Sequence, residues 1–280
     1  MELIPITIED WKMDSGACFG VIPKSLWSKV YPEQPDNMLM LTNRSLLIRQ
    51  SDRLILIDTG YGSKQHDKYY QYKYLFNQKG IEAALEEKSI TCNDITDVIL
   101  THLHDDHVGG ASKRDEEGIV DLFPNATYWV SSAQWSWAKS PNKRESAAFF
   151  PENHTVLENS NRLIKVEKNG EYIPGIEFRI YNGHTEGQII PIIDYNGKKV
   201  VFTADFIPSS AHIPLVYIAS VDIKPLEVLE EKEAFLEEAY RNRYLLFFEH
   251  DFYHETCKIE KTERGYKAIF HNTLLANTTE

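Results

Sequence analysis

The sequence predicts a mixed α/β fold. Short apolar runs of strand length alternate with a few stretches of helical period. Residues of metal-ligand type stand where the apolar runs stop. The chain has 280 residues, 42% hydrophobic and 26% charged, which is ordinary for a globular chain and enough for one large core. A single domain over residues 1–280 is expected.

Leu3 to Ile8 alternates enough to open the chain as a strand. Gly16 to Trp27 is rich in Gly, Pro and aromatics without a clear period, so it is expected to be a packed loop. Residues 16–35 are a candidate lid or dimer contact. Asn37–Arg49 and Arg53–Asp58 look like neighbouring strands joined by a turn at Gln50-Ser51-Asp52. The second holds the run Leu54-Ile55-Leu56-Ile57, expected to be buried on both faces, and ends in Asp58. An acid at the end of a buried strand needs a partner, so Asp58 is expected to anchor its surroundings and to orient a metal-bound histidine.

Tyr61–Asn77 is a tyrosine-rich loop running into a short helix, and Lys79–Lys88 has helical spacing. Asp97–Thr101 is a buried strand feeding the segment His102-Leu103-His104-Asp105-Asp106-His107-Val108-Gly109-Gly110. Four N or O ligands crowd into six positions there, before two glycines, so neither a good helix nor a good strand is expected. Asn125–Ser131 reads as a strand and Ser132–Ala138 as a helix capped by Ser131 or Ser132. Pro141–His154 reads as irregular. Strands follow at Arg162–Val166, Ile176–Tyr181, Gln188–Ile193 and Lys199–Thr203, with Asn196-Gly197 as a hairpin turn. Pro225–Tyr240 reads as a helix with Leu226, Leu229, Leu236 and Tyr240 inward. Tyr244–Phe248 is a last buried strand, and beyond Tyr266 a short strand and a frayed end are expected.

Three more ligand types stand at strand ends: His184, Asp205 and His250. With His102, His104, Asp106 and His107 they make five His and two Asp. One metal uses three or four protein ligands, so seven suit two metals sharing a carboxylate, with the isolated Asp205 as the bridge. Imidazole with carboxylate suits Zn, Mn, Co or Fe rather than Ca or Mg, and Zn is the expected metal.

The net charge of −12 speaks against a phosphate-backbone grip, so no nucleic-acid partner is expected. No apolar run reaches membrane-spanning length, and Met1–Asp10 lacks a basic start with an apolar core, so neither a membrane nor a secretory signal is expected. Cys18, Cys92 and Cys257, odd in number and widely spaced, suit free thiols in a reducing cytoplasm.

The pattern His102-x-His104-x-Asp106-His107, then His184, Asp205 and His250, resembles the dinuclear signature of the metallo-β-lactamase superfamily. Asp58 in Leu-Ile-Asp-Thr-Gly is similar to the acid that precedes it there. The resemblance implies a four-layer αβ/βα sandwich, two facing mixed sheets with outer helices. It implies that His102, His104 and His184 hold one metal, Asp106, His107 and His250 the other, and that Asp205 bridges. Met13 to Lys29 is similar to the N-terminal segment of the YtnP-type quorum-quenching lactonases, which open N-acyl-homoserine lactones. Thr203-Ala204-Asp205-Phe206 and His212-Ile213-Pro214-Leu215 are similar to segments of methyl-parathion-hydrolase-like enzymes.

The activity this implies is attack on a lactone or ester by a metal hydroxide, with Asp106 passing the proton to the leaving alkoxide. An acyl chain needs an apolar wall, and Phe19, Ile22, Phe206, Ile207 and Ile213 are the candidates. Pro208 stands where several lactonases of the superfamily carry a Tyr that steadies the substrate carbonyl, and His212 or Tyr217 are candidate substitutes. Phosphotriester hydrolysis is the nearest rival. An iron-dependent persulfide dioxygenase is the rival from another class, weighed down by the complete second ligand set. The small-molecule substrate is the expected partner, and a homodimer is a candidate assembly that the sequence leaves open.

Overall fold

The computed structural model of the chain describes residues 1–116, 118–270 and 274. The chain divides into two compact units, Met1–Asp10 with Asn43–Lys168, and Trp11–Thr42 with Asn169–Glu280. Among the described residues no helix is long and apolar enough to cross a membrane.

The first unit takes the start of β1 (Glu2–Asp14) and the end of β2 (Met38–Gln50). It continues with β3 (Arg53–Ile57), β4 (Asp97–Ile99), β5 (Ser112–Asp115), β6 (Gly118–Asp121), β7 (Thr127–Ser131) and β8 (Leu163–Val166). One sheet runs in the order β1-β2-β3-β4-β7-β8, and β5 pairs with β6 in a small ribbon. From β3 to β8 the pairings are parallel, with Ile57 beside Ile99 and Ile99 beside Trp129. Parallel strands are buried on both faces, which is why Ile55, Leu56 and Ile57 form an unbroken apolar run and are fully buried. Ile81, Ala84 and Leu85 of the helix Ile81–Glu86 join Ile6, Leu47, Leu56, Val98, Val130 and Trp135 in one core. Burying a side chain such as Leu85 contributes about 2 kcal/mol. The helix Ser132–Lys139 starts where the sequence places its cap, with the Ser131 hydroxyl accepting from the Gln134 amide.

The second unit holds β9 (Gly170–Ile173), β10 (Ile176–Tyr181), β11 (Gln188–Tyr195), β12 (Lys198–Phe202), β13 (Leu245–Phe247), β14 (Thr256–Thr262) and β15 (Gly265–Phe270). Its sheet runs β15-β14-β13-β12-β11-β10-β9. Asn196 and Gly197 take positive φ, 50° and 75°, as a tight hairpin turn requires. All neighbours are antiparallel except β12 and β13, whose connection contains the long helix Pro225–Asn242. Their register sets Phe202 beside Phe247. Each strand's candidate ligand, Asp205 and His250, lies three positions beyond that pair.

The structure corrects several expectations. The stretch after β1 is not a plain loop but two short helices, Ser15–Phe19 and Lys24–Trp27, the first capped by the Asp14 carboxylate on the Gly16 amide at 2.7 Å. The ligand segment contains a helical turn, Asp105–Val108, because Asp105 and Asp106 sit in its first turn, where carboxylates are favoured. Pro151 opens a helix, Pro151–Asn159, inside the stretch read as irregular, since its fixed φ suits a first helical position. The buried face of Pro225–Asn242 is Val228, Lys232, Phe235, Leu236 and Ala239, while Leu226 and Tyr240 face outward. The expected fraying beyond β15 lies outside the described residues.

Candidate metal centre

In the first unit the ligand segment follows β4, and the Asp58 loop follows the neighbouring β3. Asp58 has φ 57°, a left-handed conformation that an Asp tolerates and that turns its carboxylate back toward β4. It accepts from the Thr101 amide at 2.8 Å, the Thr101 hydroxyl at 2.5 Å and His107 Nδ1 at 3.0 Å. Thr59 donates to the His107 carbonyl through its amide and its hydroxyl, each at 2.8 Å. Gly109 and Gly110 allow this close approach. A Cβ on Gly109 would lie 2.2 Å from the Tyr61 carbonyl oxygen, and one on Gly110 2.1 Å from that of Thr59. Lys64 Nζ donates to the Gly109 carbonyl, and the Tyr69 hydroxyl and Lys73 hold Asp105.

The histidines are held by their far nitrogens. Since the Thr101 hydroxyl gives its hydrogen to Asp58, its oxygen accepts from His102 Nδ1 at 3.1 Å. His104 Nε2 donates to Glu145 at 3.1 Å. With those protons placed, His102 Nε2 and His104 Nδ1 face one another at 2.9 Å as two lone pairs. His107 repeats the pattern, with Nδ1 on Asp58 and Nε2 3.6 Å from Asp106.

In the second unit Asp205 follows β12 in a short 3₁₀ turn. Ala204 carries φ 41°, a strained value for a residue with a Cβ, at the position that presents the carboxylate. His184 Nδ1 donates to Asp222 at 2.8 Å, and His250 Nδ1 to the Thr42 carbonyl at 2.9 Å. Their Nε2 atoms both face Asp205, His184 at 3.1 Å from one carboxylate oxygen and His250 at 2.8 Å from the other. Asp251, fully buried, accepts from the amides of Ser210, Tyr253 and His254 at 2.9 Å each and ties the segment after Asp205 to the one after β13.

In both units an acceptor faces an acceptor. Such an arrangement needs a cation or an added proton between the groups. For His184 the proton does this in the absence of metal: burial pulls its pKa down, but the Asp205 and Asp222 carboxylates outweigh burial and raise it to about 10. A metal ion is the other solution. The imidazole and carboxylate donors fit Zn, Mn, Co or Fe, so the His and Asp side chains described in each unit are of a kind suited to metal binding.

Comparison with known proteins agrees. The metallo-β-lactamase superfamily profile matches residues 41–250. The chain is similar to a probable metal-dependent hydrolase from Staphylococcus aureus, at 30% identity over 98% of both chains with a TM-score of 0.88. The chain belongs to the metallo-β-lactamase superfamily. It is a metal-dependent hydrolase of that superfamily. Two further structures share the metallo-β-lactamase fold at lower identity and bear on the fold alone. AidC, a dizinc quorum-quenching lactonase in complex with a product N-hexanoyl-L-homoserine, is 19% identical over 97% of this chain and 95% of its own, with a TM-score of 0.79. The hydrolase AbOPH is 22% identical over 97% and 94%, with a TM-score of 0.78.

Within this superfamily fold, several orienting groups escaped the sequence reading. Glu145, Asp222 and the Thr42 carbonyl hold candidate ligands 41, 38 and 208 positions away, and no local pattern announces them. The pocket candidates are placed unevenly. Phe206 is core, stacked on Tyr181 at 4.2 Å and edge-on to Phe235. Ile207 and Ile213 are fully buried. Phe19 lies between Trp27 and His212, with ring centroids 5.2 and 5.0 Å away. His212 is a structural tie: Nε2 donates to the Cys18 carbonyl and Nδ1 accepts from the Ser209 hydroxyl, each at 2.8 Å. Ile22 and Tyr217 are half-buried, Tyr217 edge-on to Phe19. Lys232, itself buried, donates to the carbonyls of Pro214, Leu215 and Tyr217 and holds the backbone that carries the Tyr217 ring.

Proposed function

We propose that the two His/Asp clusters together hold two divalent metal ions, Zn by default, and that the enzyme opens lactones, with N-acyl-homoserine lactones as the first candidates. In this reading His102, His104 and His184 hold one ion, Asp106, His107 and His250 the other, and Asp205 both. The observation that carries it is the position of Asp205. Two buried histidines whose Nδ1 protons are committed elsewhere each aim Nε2 at a different oxygen of its carboxylate. That is what a bridging carboxylate requires. Superfamily membership supports the reading, as do the product complex of AidC and the resemblance of Met13–Lys29 to YtnP-type lactonases.

Such a metal pair supplies a Lewis acid for the carbonyl oxygen and brings the pKa of a bound water toward about 7. The protein supplies the rest. Thr101, Glu145, Asp58, Asp222 and the Thr42 carbonyl keep a proton on the far nitrogen of each ring, so each presents a lone pair inward. Asp106, partly open to solvent, can take a proton at its carboxylate and return it to the alkoxide that leaves when the ring opens. Ile22, the half-buried member of the candidate wall, is proposed to meet the acyl chain, and Tyr217, also half-buried, to steady the substrate carbonyl. The unpaired thiols of Cys18, Cys92 and Cys257 fit a reducing compartment, and we place the enzyme in the cytoplasm.

The test is a screen of the zinc-loaded protein against a long-chain N-acyl-homoserine lactone, an aryl ester and an aryl phosphotriester. The lactone is expected to show the highest kcat/KM. A phosphotriester turned over faster than the lactone would overturn the substrate assignment.

A further inference from the structure

Glu145 lies outside every motif in the sequence, in the segment between the helices Ser132–Lys139 and Pro151–Asn159. It is 7% exposed. One carboxylate oxygen accepts from His104 Nε2 at 3.1 Å. The other accepts from Trp137 Nε1 and Asn142 Nδ2, both at 2.9 Å. Asn142 closes the loop by accepting from the Glu145 amide at 3.2 Å. The oxygen that faces away from the histidine is thus fixed by two donors, which leaves the other aimed at His104. Ring packing adds a second constraint, since Phe149 lies 4.9 Å from the His104 ring.

The arrangement differs from that of its neighbour. His102 leans on a neutral hydroxyl, whereas His104 leans on a full carboxylate. A carboxylate on the far nitrogen fixes the tautomer and makes the near nitrogen a stronger donor. His104 is also the ring that turns Nδ1 inward, the nitrogen beside its own backbone, so a small rotation would swing the lone pair off target.

We infer that Glu145 is a positioning residue: acting through His104, it sets the affinity of one metal position and leaves the other alone. This rests on the dinuclear reading above, in which His102, His104 and His184 hold that metal. Loss of such a partner typically weakens metal binding about 10–100-fold.

The experiment titrates the metal-free full-length protein with Zn2+ against a chromophoric chelator and resolves the two affinities. Glu145→Gln removes the charge. Glu145→Asp keeps it but withdraws the carboxylate by one methylene, and replaces the amide variant if that one does not fold. Trp137→Phe strips Glu145 of one support and leaves the carboxylate on His104. The expected result is one Zn2+ weakened about 10–100-fold in the Glu145 variant and the other within about threefold, with Trp137→Phe near wild type on both. Wild-type affinity at both positions in either Glu145 variant overturns the inference. So does an equal loss at both positions, or a Trp137→Phe variant that reproduces the loss, because each marks a merely structural role. Wild-type protein that takes up fewer than two Zn2+ would instead overturn the dinuclear reading.

Discussion

The two units solve the same problem in opposite ways. In the first, three imidazoles and a carboxylate arrive within six consecutive positions, and the structure's task is to hold them apart and aim them. Asp58, one residue past β3, does most of this, gripping Thr101 and His107 across two parallel neighbours. In the second, His184, Asp205 and His250 come from three strand ends, and the task is to bring them together. There the register of β12 and β13 does it, with Asp251 stitching the two following segments. A dense motif needs restraint, whereas dispersed ligands need a sheet.

This contrast predicts different failures. Asp205→Asn should have the largest effect, because it removes the carboxylate on which two of the second unit's candidate ligands, His184 and His250, converge. Activity on the best substrate of the screen is expected to fall about 10³-fold or more, with metal content reduced. Steady-state kinetics with elemental analysis check it, and a loss under tenfold would remove Asp205 from the centre of the second unit.

Asp58→Ala should fail as a fold. It strands three buried donors, two from Thr101 and one from His107, and is expected to cost about 3–5 kcal/mol. Urea unfolding of the metal-free protein measures this. A cost below about 1 kcal/mol would mean that the first unit's candidate ligands hold themselves.

The smallest effect separates two buried neutral histidines, one in each unit. Burial, with Lys139 nearby, lowers His154 to about 4, and burial foremost lowers His212 to about 4, both from 6.5. Below about pH 6.5 the unfolded chain binds protons that these folded sites refuse. Their contribution is therefore complete above about 6.5 and is lost as pH falls toward about 4. Replacing either by Phe should shrink the stability lost between pH 7.5 and 5 by about 2 kcal/mol in the metal-free protein. At pH 7.5, His212→Phe should cost about 1–2 kcal/mol through its two hydrogen bonds, and His154→Phe less, since His154 Nε2 has no partner. Equal costs at pH 7.5 would show that the tie across 194 positions matters no more than local packing.

Much of the fold was legible because burial leaves a period. The apolar runs of β3, β10, β12 and β13 and the cap at Ser131 stand in the structure within a few residues of their expected places. What misled was polarity that satisfies itself locally. The helical turn at Asp105–Val108 hides among charges, and the helix from Pro151 looks like loop until its prolyl φ is taken as a start. On Pro225–Asn242 the apolar positions alone gave only part of the buried face: Leu236 is buried as expected, but Leu226 and Tyr240 face outward and Lys232 is buried against three carbonyls.

The sequence by itself determined the fold class, the superfamily and the candidate ligands, since donor atoms are a property of residue type and strand ends are marked by where apolar runs stop. Only the tertiary structure decided which groups hold each ring. Glu145, Asp222 and the Thr42 carbonyl act through hydrogen bonds of about 3 Å between residues far apart in the chain. A hydrogen bond depends on distance and angle, and neither is written in the order of the residues.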